Sequence, residues 1–274
     1  MVIKGLHLSK NKLGVMFILC TKIRMKKFLL LALIPLFAFK SLNNPSFKEK
    51  QMEYSRVFKA FQEKWGSAKG KLRAAGINPH NYDIFIRAFK FEEDLEVWAK
   101  NKEDLDYTLI TSYKFCNYVG ELGPKRKEGD MQIPEGVYYM NRFNPTSNYL
   151  LSLKVSYPNK SDSLLGYTEK LGGQIYIHGG CNTVGCIPIT DDKIKELYVY
   201  CVQAKHVGQE QIPIHIFPAR LTDENFSFIS KQFSDYKLKS FWAQLQRCYK
   251  LFENSHRIPR TIIDNTGRYY FISQ

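Results

Sequence analysis

The chain has 274 residues, of which 44% are hydrophobic and 14% aromatic; this is enough for one sizeable core and excludes a disordered or low-complexity polymer. Its formal charge of +14 is concentrated at the start, where the first 40 residues hold eight Lys or Arg and no Asp or Glu; the remaining 32 basic and 26 acidic residues leave +6. That mild excess suits an anionic polymer as partner, and with no nucleic-acid-binding motif beside it a nucleic acid is set aside.

The basic start reads as an export signal. Met25-Lys26-Lys27 is a positive n-region, Phe28 to Phe39 is an apolar run broken only by Pro35, and Lys40 to Asn43 turns polar. The run is shorter than the roughly 20 apolar residues a membrane span needs. An uncleaved N-terminal anchor is the alternative, and residues 1–24 read as an upstream extension ahead of a start at Met25. Five cysteines follow the signal: Cys116, Cys181, Cys186, Cys201 and Cys248. An odd number in an exported chain implies at least one free thiol.

From Ser46 to about Ala75, Tyr54, Phe58, Phe61 and Trp65 recur at three- and four-residue spacing, which predicts one helix ended by Gly76-Ile77-Asn78-Pro79. Ile84–Phe89, Asp94–Ala99 and Tyr107–Thr111 then read as an antiparallel meander. A polar loop opens at Gly123-Pro124-Lys125 and closes at Pro134-Glu135-Gly136. Val137–Met140, Tyr149–Leu153, Gln174–Ile177 and Ile212–Phe217 are further strands. Between the last two, a helix starts near Thr190, read as its N-cap, with Asp191 and Asp192 at the positive end of its dipole. Ile194, Leu197, Tyr198, Cys201 and Val202 form its apolar stripe, so Cys201 belongs to the core. Cys248 receives the same reading on a last helix that carries Phe241, Leu245, Tyr249 and Phe252. Gly267 to Ile272 reads as a closing strand.

The segment Ile175–Thr190 concentrates the chemistry. An apolar strand delivers His178, a Gly-rich loop follows, then Gly185-Cys186, then the helix start. A thiol needs a base or a cation to become a thiolate at neutral pH, and His178 can be that base if the loop folds back. Gly179 and Gly180 allow a sharp turn, Gly185 allows close approach to the backbone, and N–H groups around Cys186 can hold an oxyanion. Two other readings stay open on these residues: a soft metal site of His178, Cys181 and Cys186, short of a fourth ligand, and a structural loop closed by a Cys181–Cys186 disulfide. His215, in an alternating strand, reads as a partly exposed histidine that could face the cleft.

This segment resembles the active-site signature of the L,D-transpeptidase catalytic domain family of YkuD type: a strand ending in His-Gly, a short loop, then Ser or Thr, any residue, Gly and Cys. Here it stands as His178-Gly179 and Thr183-Val184-Gly185-Cys186, and the short gap with the extra Cys181 is most like the YafK-like branch. Gly123 to Tyr138 resembles the family's glycine, basic loop, Gly-Asp and Pro-x-Gly-x-Tyr stretch, and Ser156–Asp162 resembles a further family segment. Two positions depart: Pro188 stands where many relatives have Arg, and Ile133 where Thr is usual.

The resemblance implies an α+β fold: a mixed β-sheet or β-sandwich catalytic core over residues 81–220. An N-terminal helical segment (42–80) precedes it, and a C-terminal helical extension with a closing strand (221–274) follows, all behind the extension and signal at 1–41. It implies a periplasmic enzyme of the cell envelope. Cys186 would be the nucleophile and His178 its base, with Gly185, Gly179 and Thr183 as oxyanion or orienting groups and Lys125, Arg126 and Tyr138 as substrate contacts. The partners implied are peptidoglycan peptide stems and a wall-attached protein; no metal or organic cofactor is implied. A hydrolase of the same fold and a non-catalytic wall-binding module are the alternatives.

Cleavage after about residue 40 is the expected outcome in an exporting host. Intact-mass measurement checks it, and a mature species still holding Met25 to Phe39 would contradict it.

Overall fold

The computed structural model describes residues 44–274, which form one compact unit. The signal peptide and upstream extension read from the sequence lie outside them. Among the described residues, no helix is long and apolar enough to cross a membrane.

The meander β1 (Tyr82–Phe89), β2 (Asp94–Asn101) and β3 (Thr108–Lys114) is antiparallel, as its alternation predicts. It continues through β4 (Gly136–Asn144), β5 (Ser152–Val155), β6 (Tyr176–His178), β7 (Ile187–Pro188) and β8 (Ile212–Phe217) into one eight-stranded mixed sheet of order β3-β2-β1-β8-β4-β5-β6-β7. Of the two architectures expected, the structure takes the mixed sheet: among the described residues β1 with β8 and β6 with β7 are parallel, and the other pairs are antiparallel.

Helices α1 (Phe47–Met52), α2 (Ser55–Ala74) and α4 (Thr190–His206) pack on one face, where Ile84, Ile86, Ala88, Leu95, Val97 and Ala99 enter the larger core. Helices α5 (Asp223–Gln232) and α6 (Tyr236–Ser255) pack with the alternate residues, such as Phe89, Val137 and Phe217. Burial of both faces explains why β1 is apolar almost throughout. Its one charged interior residue, Arg87, is bonded through Nε and Nη2 to Glu96 (2.9 and 2.7 Å), and Glu96 also accepts from Trp98 and Arg220.

Several elements differ from expectation. The single N-terminal helix is two: a capping box of Ser46 and Glu49 starts α1, and the chain breaks at Glu53-Tyr54, where Tyr54 takes extended backbone before α2 begins. Tyr149–Leu151 is a turn, and β5 starts only at Ser152. Helix α3 (Lys160–Leu165) lies where the sequence pattern predicts no element, started by a capping box of Asn159 and Asp162. The last strand, β10 (Tyr269–Ile272), does not close the main sheet but pairs with β9 (Arg260–Ile263) in a hairpin against α6. Thr190 does not cap α4; it is the first helical residue, at φ +71°, and the cap position falls to Ile189.

The long loop between β3 and β4 is held from beneath by one buried ion pair. Lys90, just after β1, and Glu135, just before β4, have no solvent exposure. Lys90 Nζ donates to Glu135 (2.9 Å) and to the carbonyls of Gly123 (2.7 Å) and Ile133 (3.1 Å). Glu135 accepts in addition from Gly123 N (2.7 Å) and from the Trp242 indole on α6 (2.8 Å). Removing one member strands the other charge in a dry site.

Glu135→Ala is therefore expected to lower unfolding stability by about 3–5 kcal/mol, and Lys90→Met/Glu135→Leu by less. Denaturant unfolding of both variants checks this; a cost within about 0.5 kcal/mol of zero for the single change, the size of an ordinary surface substitution, would contradict the anchoring role.

Candidate active site

β6 ends on His178, and the loop 179–186 turns the chain back so that β7 runs parallel beside it, with Ile177 opposite Ile187 and His178 opposite Pro188. Continued by one residue, that register sets Cys186 level with Tyr176. Two glycines make the turn possible. A side chain at Gly179 would meet Asp191 Oδ1 at 2.5 Å and the Tyr149 carbonyl at 2.7 Å. Gly185 sits at φ +122°, and a side chain there would meet the Gln132 carbonyl at 2.8 Å. Asp191, in the first turn of α4, accepts from Gly180 N (2.8 Å) and so ties the loop to the helix. On the other side a disulfide joins Cys181 to Cys116, which follows β3. A cross-link over a sequence separation of 65 stabilises the fold by about 4 kcal/mol on loop-entropy grounds.

That pairing decides between the readings left open by the sequence. Cys181 is committed to Cys116, so neither a Cys181–Cys186 disulfide nor a metal site using Cys181 forms, and Cys186 is a free thiol. The other two free cysteines among the described residues, Cys201 and Cys248, are fully buried, as their helical positions predict.

His178 is buried, with the Tyr149 ring stacked on it at 4.5 Å. Its Nδ1 lies 2.5 Å from the Gly179 carbonyl. A carbonyl only accepts, so Nδ1 carries the proton and Nε2 of the neutral ring keeps its lone pair. Burial pulls the His178 pKa below its ordinary value against the Gly179 hydrogen bond, which raises it. Burial pushes the Cys186 thiol up, against the Tyr176 N–H and the Lys125 charge, which favour the thiolate. Both shifts point one way: at rest the pair is a neutral thiol and a neutral imidazole. The thiol donates to the Gln174 carbonyl (3.4 Å) rather than to the ring.

Thr183 supports the Cys186 backbone rather than the histidine. Its hydroxyl accepts from Cys186 N (2.8 Å) and Gly185 N (3.2 Å) and donates to the Cys186 carbonyl (2.9 Å). The two N–H groups expected to meet an oxyanion are thus engaged at rest. The residues expected to touch substrate lie inward. Lys125 is buried, bonded to Asp130 (2.6 Å) and the Lys127 carbonyl (2.8 Å), and reaches Cys186 through its charge. Arg126 is buried against Asp162 (3.4 Å) and the Phe241 ring. Tyr138 has no exposure and donates its hydroxyl to Asp162 or the Glu135 carbonyl, both 3.0 Å away. Their surroundings make them braces of the loop; Lys127 alone of the basic run is exposed.

Pro188 and Ile133, the two departures from the family pattern, also have structural places: the Pro188 carbonyl accepts from Cys116 N (3.0 Å), and Ile133 fills the core. His215 does not face the cleft. It is fully buried, 3.6 Å from Cys248 and packed edge-on to Phe85. Burial holds it near pKa 3, so it stays neutral. Sequence reasoning missed Tyr149, Gln174 and Asp191; only Asp191 carried a signal, as a helix-start carboxylate three residues after Pro188.

The L,D-transpeptidase catalytic domain model matches residues 89–216. YafK of Escherichia coli (strain K12) is 36% identical over 188 residues, 68% of this chain and 72% of YafK. The chain belongs to the L,D-transpeptidase catalytic domain family. YafK of Escherichia coli O157:H7 matches to the same extent. Among solved structures, the helical cell shape determining protein Pgp2 from Campylobacter jejuni is similar over 72% of this chain and 80% of its own, at 18% identity and a TM-score of 0.41. Mycobacterium tuberculosis L,D-transpeptidase 1 is similar over 49% of this chain and 62% of its own, at 14% and 0.27. The family match covers β4 to β7 and the loop that carries Cys186, and it stops before α5, α6 and the β9–β10 hairpin.

Limited alkylation with peptide mapping is expected to label Cys186 first and Cys201 and Cys248 last, since the latter two are sealed and burial pushes their thiols far up. The Cys186 rate is expected to keep rising with pH above the ordinary thiol pKa of about 8.5, because the thiolate forms only through that raised pKa. A rate already level at neutral pH would mean a preformed thiolate–imidazolium pair and contradict this description.

Proposed function

We propose that this protein is an exported peptidoglycan L,D-transpeptidase that works through a Cys186 acyl-enzyme at L,D peptide bonds next to diaminopimelate. The observation that carries the reading is the placement of His178: its Nδ1 lies 2.5 Å from the Gly179 carbonyl, which leaves Nε2 to accept a proton. The β6–β7 register sets Cys186, among the described residues the one free thiol that is not fully buried, level with Tyr176, two residues before that histidine. The family acts on peptidoglycan stems, which supplies the substrate class.

The chemistry follows from the neutral pair. As the Cys186 sulfur approaches the carbonyl carbon of the L,D bond, His178 Nε2 takes the thiol proton. The C–N bond then breaks, the terminal D-residue leaves as an amine, and His178 returns the proton to its nitrogen. The stem is left as a thioester on Cys186. An acceptor amine attacks that thioester, His178 takes the proton from the amine, and the thiol is restored with a new amide bond formed. Water in place of the amine gives the free carboxylic acid, which is the hydrolase reading; it shares every residue and the first step. A wall-attached protein is a substrate under either reading. Thr183 keeps the Cys186 backbone in place through both steps, and Tyr149 fixes the plane of the imidazole.

Incubation with tetrapeptide muropeptides is expected to give a protein adduct heavier by the tripeptide acyl group, with the D-residue released. Mass spectrometry before and after proteolysis locates it on Cys186. His178→Ala is expected to lose at least a hundredfold in acylation rate, the lower range for a positioned general base. Added acceptor amine is expected to yield cross-linked product. Free tripeptide alone at high acceptor concentration would replace the transpeptidase by the hydrolase, and no adduct from any stem would remove the acyl-enzyme.

A further inference from the structure

A cavity of about 620 Å³ opens between the β3–β4 loop and the C-terminal extension. One wall is the loop segment 121–132. The other is built by the start of α6 and the β9–β10 turn, which lie beyond the family match. Neither Cys186 nor His178 lines it, but two contacts join it to the nucleophile. Gln132 lines the cavity, and its carbonyl is the atom against which Gly185 is packed. Asp130 lines it too, and it holds Lys125, the cation whose charge reaches Cys186.

The charge in this cavity is unbalanced. Lys127, Lys237 and Arg268 are exposed there and have no carboxylate partner among the described residues. The acidic residues beside them are largely committed. Asp130 accepts from the backbone of Arg126, Lys127 and Gln132, and Asp235 caps α6 by accepting from Lys237 N and Leu238 N. Glu121 is the one carboxylate on the wall left for a ligand amine. Apolar surface comes from Phe233, Phe241 and Leu238. The volume is that of an ordinary small-ligand site, typically about 300–1,000 Å³, and accommodates a short peptide. Three free cations, one free carboxylate and apolar walls are complementary to a chain carrying several carboxylates and an amine.

We propose that the C-terminal extension makes this cavity a second binding site, for a carboxylate-bearing peptide of stem size, next to the acyl-enzyme. The site deepens the peptidoglycan reading, on which its choice of ligand rests. Lys237 and Arg268 from the extension, with Lys127 from the loop, hold the ligand's carboxylates, and Glu121 meets its amine. The extension thereby selects which peptide chain stands beside Cys186.

The test is direct binding of a diaminopimelate-containing tetrapeptide stem to the full chain carrying Cys186→Ala, by calorimetry, with three comparisons. Lys237→Glu/Arg268→Glu is expected to weaken binding about tenfold, as reversal of two exposed charge contacts should. A stem with its carboxylates amidated is expected to lose as much on the unaltered cavity. Lys50→Glu/Lys59→Glu, which changes net charge equally on exposed helix surface away from the cavity, is expected to change nothing. Equal affinity of the cavity variant, or of the amidated stem, would overturn the proposal. So would displacement of the stem by glycan strands stripped of peptide, which would make the cavity a sugar site. Because no acyl chemistry is involved, absence of a Cys186 adduct would count against the proposed reaction and leave this result standing.

Discussion

The structure depends most on a charge pair that never meets water. Lys90 and Glu135 lie on the sheet side of the β3–β4 loop, and their remaining hydrogen bonds go to Gly123, Ile133 and Trp242. Two charges in a dry interior are tolerated only when paired and fully bonded, so the arrangement has little freedom to shift. It fixes the loop at both ends against β1 and fastens α6 to it. The loop in turn presents the Gln132 carbonyl to Gly185, in a space no other residue would fit. The geometry of Cys186 therefore begins several residues away, at a lysine with no part in the chemistry.

The loop 179–186 is held from four sides: by β-pairing through Ile177 and Ile187, by Asp191 on α4, by the Cys116–Cys181 disulfide and by Thr183 within the loop. Such restraint matters because the resting pair is neutral. A preformed thiolate would react wherever an electrophile reached it. In the proposed reaction a neutral thiol reacts only when substrate brings the sulfur, the carbonyl and Nε2 into line, so positioning would replace charge as the source of reactivity. Burial causes this state directly: it disfavours the thiolate and the imidazolium at once.

Much of this was legible in the residues. The period-two segments gave β2, β3 and β8, the mostly apolar run Ile84–Phe89 gave β1, and the 3.6-residue stripe of Ile194, Leu197, Tyr198 and Cys201 gave α4 and the burial of Cys201. His178-Gly179 and Gly185-Cys186 marked the strand end and the turn before β7. The errors have a common physical origin in partners distant along the chain. Lys125 and Arg126, in a polar loop, read as substrate contacts; only the fold shows Asp130 and Asp162 turning them inward. Tyr149 looks like strand, and its position over His178 follows from the turn before β5 pairing Ser152 with His178. The Cys116 partner of Cys181 follows from Cys116 N bonding to the Pro188 carbonyl, a register no local pattern reports. Short capped helices such as α3 hold too few residues to show a period.

The neutral state of His178 and Cys186, with the ring proton on Nδ1, is read out by nuclear magnetic resonance of the imidazole. Titration of the full chain with nitrogen-15-labelled histidine is predicted to show His178 as the Nδ1–H tautomer at neutral pH, with its protonation midpoint below the ordinary value of about 6.5. A doubly protonated His178 at neutral pH, or a proton on Nε2, would contradict the account.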